Sequence, residues 1–304
     1  MRLVFAGTPA VAVPALRELA ARHEVAAVVT RRDAPLGRKR VLTPSPVAAA
    51  AEELGIEVVK ANRLDEEATA RIEAVGAELG VIVAYGGLVR EPLLSTPARG
   101  WINLHFSLLP RWRGAAPVQW SIIEGDTVSG ATVFQLVPGL DAGPVFSMRS
   151  TPIAAHESAG GLLARLADSG AAQLADTVDG IAEGSLTAAP QTGEVTLAPK
   201  LGLEDARLDF TRDLDTVYAR LRGVTPEPGA WFDLDGMRVK VLEASPARDR
   251  PRLDPGALDG SGRTLHVGTA TAPLELLTVQ PAGKKPMAAA DWWRGAGAEG
   301  LVAR

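Results

Sequence analysis

The chain has 304 residues, 46% of them hydrophobic and 22% charged, with a formal net charge of −4 and a pI near 5.7. That composition supports substantial apolar cores, and the length suits two domains better than one. The absence of cysteine excludes disulfides, thiolate chemistry and Cys-based metal sites, and the acidic balance argues against a protein that coats nucleic acid nonspecifically.

In chain order, residues 2–6, 24–30, 57–60, 79–85 and 101–104 read as short strands rich in Val, Ile and Leu. Ala-rich stretches with helical spacing, at 11–22 and 46–54, lie between them. This alternation predicts a mostly parallel sheet covered by helices on both faces. Residues 131–137 and 145–153 read as two further strands joined by a tight turn at 138–144, an antiparallel addition. A long helix follows from Ser158 to about residue 183, with Ser158 as its N-cap. Leu162, Leu166, Leu174, Val178 and Ile181 form its apolar stripe, which packs on the sheet.

Residues 184–202, with Pro190, Gly193 and Pro199, read as an extended connector. Beyond it come one helix around 213–222 and short strands at 229–234, 237–243, 264–269 and 274–280. Asp235-Gly236 is a two-residue hairpin signal, and 253–262 is rich in turn residues. The pattern predicts an α/β chain in which a Rossmann-like, mostly parallel sheet domain (1–188) is followed by a linker (189–204) and a small OB-like β-barrel (205–304). The apolar run near Met1 is too short for a secretory signal, and no run of about 18 apolar residues suggests a membrane span. A cytoplasmic protein without membrane contact is the expectation.

Chemistry concentrates at two places. Asn103 and His105, two residues apart at the end of a strand, project to the same side. Asp141 sits in the turn Pro138-Gly139-Leu140-Asp141-Ala142-Gly143-Pro144, either as a turn former or with its carboxylate reaching inward beside His105. An amide donor, an imidazole and a carboxylate suffice for acyl-type transfer: one holds an oxyanion, one moves a proton, one orients the ring. His23, His156 and His266 read as surface or half-buried residues, too scattered for a metal set. Gly7-Thr8-Pro9 lacks the dinucleotide-binding spacing, and Ser107 lacks a nucleophile elbow, so neither NAD nor a serine hydrolase is indicated. The loop from Leu108 to Pro117 is either a crossover in which Trp112 covers the core or a wall for a flat cofactor. Arg31, Arg32, Arg38, Lys39 and Arg40 form a basic cluster, read as a solvated surface or as a loop that seeks phosphates.

The motifs Asn103-x-His105, Ser107-Leu108-Leu109-Pro110, Arg113-Gly114-Ala115-Ala116-Pro117 and Gly139-Leu140-Asp141-x-Gly143 together resemble the signature of the folate-dependent formyltransferases. Residues 113–117, the Gly37-Arg38 loop and the second domain are most similar to the methionyl-tRNA formyltransferases among them. The likeness runs from Phe5-Ala6-Gly7-Thr8-Pro9 to Gln280-Pro281-Ala282-Gly283-Lys284-Lys285. The resemblance implies transfer of a formyl group from 10-formyltetrahydrofolate to the amino group of methionyl initiator tRNA, for translation initiation, with no metal. It gives Asn103 and His105 the oxyanion. Asp141 favours the protonated imidazole and relays the amine's proton through water. Ser107, Leu108, Leu109 and Pro110 carry the folate. Arg38, with Lys39 and Arg40, falls at the acceptor end of the tRNA, and Lys200 and Lys284 are weaker backbone contacts. A monomer is the simplest state.

Two features depart from the family pattern: Phe106 stands where glycine is common, and the basic loop is about one residue shorter than in some relatives. The competing readings are the same transfer to glycinamide ribonucleotide or an amino sugar nucleotide, a formyltetrahydrofolate hydrolase, and a non-catalytic RNA-binding module.

Overall fold

The first strand, β1 (Arg2–Gly7), buries Leu3, Val4, Phe5 and Ala6 in succession. A strand covered on both faces shows continuous apolarity instead of alternation, and β1 accordingly lies inside a parallel sheet. The computed structural model describes residues 1–37, 39–296 and 300–304. They form two units. One comprises Met1–Pro117, Val128–Pro152 and Leu163–Ala198; the other comprises Val118–Thr127, Ile153–Leu162 and Pro199–Arg304.

After β1 come α1 (Val13–Arg22), β2 (Glu24–Thr30), a small hairpin of β3 (Ala34–Leu36) and β4 (Val41–Thr43), α2 (Pro46–Glu53), β5 (Glu57–Lys60), α3 (Glu66–Ala74), β6 (Leu79–Val83) and β7 (Trp101–His105). Next are β8 (Arg113–Gly114), α4 (Pro117–Ile123), β9 (Val128–Gln135), β10 (Val145–Pro152), α5 (Ala159–Glu183) and β11 (Leu197–Ala198). The main sheet has the order β10-β9-β7-β6-β1-β2-β5. Its strands from β7 to β5 are parallel, while β9 runs against β7 and β10 against β9. This is the Rossmann-like sheet with an antiparallel addition that the alternation predicts.

Side-chain caps set several helix starts. Ser45 and Asp65 accept from the N–H groups of Ala48 and Ala68, and Ser158 accepts from Gly161, each cap being worth about 1 kcal/mol. The apolar stripe of α5 is buried as its periodicity requires. Within the first unit, Gly170 of α5 lies against Leu104 of β7, and Gln173 Nε2 donates to the Ala131 carbonyl of β9 (3.1 Å). Helices α3 and α4 and the hairpin β3–β4 stand outside the predicted elements. Helix α3 is short and mostly polar, α4 starts at a proline inside an apolar loop, and the hairpin is exposed along all of β3 and most of β4.

The second unit holds α6 (Leu214–Gly223), β12 (Trp231–Leu234), β13 (Met237–Pro246), β14 (Leu258–Asp259), β15 (Leu265–Val267), β16 (Leu274–Pro281), β17 (Met287–Ala288) and α7 (Ala289–Ala296). Its antiparallel sheet has the order β12-β13-β16-β15-β14, with β17 also on β16, and curls into a half-barrel. Asp235 (φ 53°) and Gly236 (φ 81°) make the tight β12–β13 hairpin, whose two positive φ angles favour this dipeptide. Register shifts after Val241 and Glu243 bend β13. Residues 153–162 join this unit through Gly160 N–H to the Thr225 carbonyl (3.0 Å) and the ring of His156 to the Tyr218 hydroxyl (3.0 Å). No helix among the described residues is long and apolar enough to cross a membrane.

One strand position tests the packing of the main sheet. A Cβ on Gly80 of β6 would fall 2.1 Å from the fully buried Trp101 ring. Gly80→Ala is expected to lower stability by about 3 kcal/mol, measured by urea unfolding followed through tryptophan fluorescence.

Candidate active site

Along β7, the Leu104 side chain packs against Gly170 of α5, and Asn103, Leu104 and His105 all contribute to the wall of a cavity of about 730 Å³. The other walls are the segment 84–91 after β6, Phe106, residues 114, 115 and 117, and the loop 136–141 after β9. That loop starts beside Trp101, where Leu136 N–H donates to the Trp101 carbonyl (2.7 Å). By Asp141 it has come alongside His105, four residues further along β7. The turn closes only with glycine at 143, because a Cβ there would meet the Gln135 carbonyl at 1.7 Å.

The three predicted groups meet in this cavity. His105 Nδ1 lies 3.9 Å from Asp141 Oδ2, the two side chains being 7% and 13% exposed. His105 Nε2 lies 2.9 Å from the Trp112 carbonyl. A carbonyl can only accept, so Nε2 carries the hydrogen and the neutral ring presents an unprotonated Nδ1 beside the carboxylate. Asp141 Oδ2 also accepts from the N–H of Gly114 (2.8 Å), and the edge of the His105 ring faces Phe134 at 6.3 Å between centroids.

Burial pushes His105 below the ordinary imidazole value, and the Asp141 charge and the Trp112 carbonyl oppose the shift without reversing it. The expectation that Asp141 keeps the imidazole protonated therefore gives way. The carboxylate acts in the expected direction, but desolvation of a ring enclosed by Phe134, Trp112 and the sheet outweighs it.

Ser107, Leu108, Leu109 and Pro110 lie outside the lining of this cavity and brace it. Ser107 Oγ donates to the Arg111 carbonyl (2.6 Å), Thr132 Oγ1 donates to the Ser107 carbonyl (2.6 Å), and Leu109 N–H donates to Thr132 Oγ1 (3.2 Å). The crossover reading of the 108–117 loop holds for Trp112, and residues 114, 115 and 117 of the same stretch line the cavity. Trp112 is buried, and backbone groups of the same loop reach His105 and Asp141.

Among the tRNA candidates, Arg38 lies outside the described residues. Lys39 and Arg40 are exposed at the β3–β4 turn beside the exposed Leu36, Val41 and Leu42. In the second unit, Lys200 is exposed and Lys284 is exposed in the β16–β17 turn. None of these four lines the cavity. His23, the C-cap of α1, is half-buried with its ring beside Asp179 (3.2 Å), within the surface or half-buried reading, whereas His266 is buried within β15. Sequence reasoning missed the wall at Tyr85, Gly86 and Gly87, for which the Gly-Gly pair after a strand was the available signal. It also missed Gln191, which lies in the stretch read as a connector.

Residues 1–178 match the family model for Formyl transferase, and residues 200–297 match that for Formyl transferase, C-terminal domain. The chain belongs to the formyl transferase family. Its sequence groups with the methionyl-tRNA formyltransferases. It is 65% identical over 305 residues to that of Clavibacter michiganensis subsp. michiganensis, covering all of both chains. It is 64% identical over 302 residues to that of Leifsonia xyli subsp. xyli, covering 99% of this chain and 100% of the relative. A solved structure of WlaRD, a sugar 3N-formyl transferase crystallised in the presence of dTdp and 5-N-Formyl-THF, shares the fold. Its TM-score is 0.69 at 14% identity, over 94% of this chain and 99% of that one.

The electrostatic balance at His105 has a sign that can be checked. Replacing Asp141 by Asn removes the charge that opposes burial, so His105 should titrate lower still. Ring ¹⁵N NMR should place His105 below 6.5 in the wild type and lower in Asp141→Asn; a wild-type value above 6.5 contradicts this assignment.

Proposed function

We propose that this chain moves the formyl group of 10-formyltetrahydrofolate onto the amino group of methionyl initiator tRNA, in the cytoplasm and as a monomer. The observation that carries the proposal is the meeting of Asn103, His105 and Asp141 in one cavity, with His105 Nδ1 3.9 Å from Asp141 Oδ2. Identity of 64–65% to methionyl-tRNA formyltransferase relatives across both domains supports the choice of acceptor.

The cavity suits a flat donor with polar edges. Its volume is typical of small-molecule sites, and its walls combine apolar groups (Ile82, Leu94, Phe106, Leu136) with the backbone of 84–91 and 136–141. Phe106 offers a ring to that wall. In this reading the Ser107, Leu108, Leu109 and Pro110 loop, outside the lining, supports the folate site from behind through its bonds to Arg111 and Thr132.

In the transfer, the acceptor nitrogen attacks the formyl carbon, and the carbonyl oxygen gains charge. Asn103 donates its amide hydrogen to that oxyanion. His105 Nδ1 takes the proton released by the amine, directly or through one water, and Asp141 stabilises the imidazolium formed. His105 then returns the proton to N10 of the folate as the bond between carbon and N10 breaks. One C–N bond forms, one breaks, and the proton passes from the amine to the leaving nitrogen. A neutral resting imidazole suits this sequence, since a protonated ring could not receive the first proton.

For the RNA, Lys39 and Arg40 of the exposed β3–β4 turn, with Arg38 as their neighbour in sequence, contact the acceptor end, and Leu36, Val41 and Leu42 offer apolar surface to bases. Lys200 and Lys284 touch the backbone from the second unit. That unit holds equal numbers of acidic and basic side chains over residues 205–304, so it binds through one-sided placement and not through bulk charge.

The purified protein with 10-formyltetrahydrofolate should formylate methionyl initiator tRNA. It should leave glycinamide ribonucleotide unmodified and release little formate without an acceptor. Preference for the small acceptor, or for water, would overturn the assignment. Asn103→Ala and Asp141→Asn should each lower kcat by about 10²–10³-fold with tRNA binding nearly unchanged. Full activity in Asp141→Asn would remove Asp141 from the mechanism.

A further inference from the structure

The stretch between the two family models, which end at residue 178 and resume at 200, is bonded to both sides of the catalytic group. Gln191 donates from Nε2 to the carbonyl oxygens of Asp141 (2.7 Å) and Gly143 (2.9 Å). Its Oε1 accepts from Nε (3.2 Å) and Nη2 (2.6 Å) of Arg113. Both donors of the amide and both lone pairs of its oxygen are thus engaged, and Arg113 decides which way the amide faces. The residue after Arg113 supplies the N–H that holds the Asp141 carboxylate at 2.8 Å.

Backbone geometry shows why such a clamp matters. Asp141 has φ +44°, in the left-handed region that non-glycine residues rarely occupy. A conformation of this kind persists only where its surroundings over-determine it. The two carbonyl groups taken by Gln191 flank the turn from Asp141 to Gly143. Without its N–H donors, the turn is free to relax and the carboxylate to leave His105. Thr196 makes the matching contact on the other side. Its Oγ1 accepts from the N–H of Trp112 (2.9 Å), whose φ is +61° and whose carbonyl fixes His105.

We infer that Gln191 is a positioning residue for the transfer reaction: oriented by Arg113, it pins the Asp141–Gly143 turn so that the Asp141 carboxylate stays beside His105. The inference rests on the formyl-transfer reading of the site. Its test uses full-length Gln191→Ala, Gln191→Glu, Asp141→Asn and the double variant Gln191→Ala/Asp141→Asn. Gln191→Glu keeps size and an oxygen toward Arg113 but has no N–H for the two carbonyls.

Both Gln191 variants should lower kcat by about tenfold or more, with KM for methionyl initiator tRNA changed by less than about threefold and the urea midpoint close to wild type. Added to Asp141→Asn, Gln191→Ala should cost less than about twofold more, because the two act through one group. The ring titration of His105 reads the same point without turnover: Gln191→Ala should lower it, as Asp141→Asn does. Wild-type kcat in both variants, multiplied losses in the double variant, or an unmoved His105 titration would overturn the inference. If the wild type transfers no formyl group, the functional reading falls, and the titration still decides whether Gln191 positions Asp141.

Discussion

A buried imidazole can serve as a directed base only when one of its nitrogens is committed, and in this protein the Trp112 carbonyl commits Nε2 of His105. That one bond selects the tautomer, turns Nδ1 toward Asp141 and the cavity, and ties the end of β7 to the loop that follows it. The loop must fold back for the carbonyl to reach. Trp112 adopts a left-handed backbone to do so, and its ring is buried in the same turn. Packing of a large aromatic side chain and orientation of the reactive ring are therefore one structural event.

Around that bond, two opposing electrostatic effects set the chemistry. Enclosure of the ring disfavours the imidazolium; the carboxylate beside it favours the cation once a proton arrives. A surface imidazole would gain little from a partner at 3.9 Å, because water would screen the pair. In the enclosed cavity the same separation matters, which is why loop 136–141 has to be held rather than merely present. Left-handed backbone at Trp112 and Asp141 sits at the wall of the cavity, and hydrogen bonds with Gln191, Thr196 and Gly114 keep it in place.

Much of this was legible in the residues. Apolar runs such as Leu3 to Ala6 identify buried parallel strands, and Ser158 marks a helix start that the structure caps as expected. Asp235-Gly236 announces its hairpin because few other dipeptides tolerate two positive φ angles. Asn103 and His105 could be paired because the two-residue strand period is local. Other features left no local trace. The hairpin β3–β4 exposes most of its residues, so no alternation reports it. The partner of His23, Asp179, is far away in sequence, and the burial of His266 depends on a sheet assembled from distant strands. The connector looked like a spacer because Gln191 and Thr196 act through hydrogen bonds, which have no hydrophobic period.

By itself the sequence determined the main strands of a parallel sheet followed by a β-rich unit, the pairing of an amide with an imidazole on one strand, and the family to which the chain belongs. These depend on local backbone preference and on motifs short enough to read in one pass. Tertiary structure alone decided that Asp141 lies beside His105, that burial pushes the imidazole toward its neutral form, and that Gln191 bonds to the carbonyls of Asp141 and Gly143. The reason is physical: desolvation and hydrogen-bond geometry belong to the space enclosed by several segments, and no single segment contains that space.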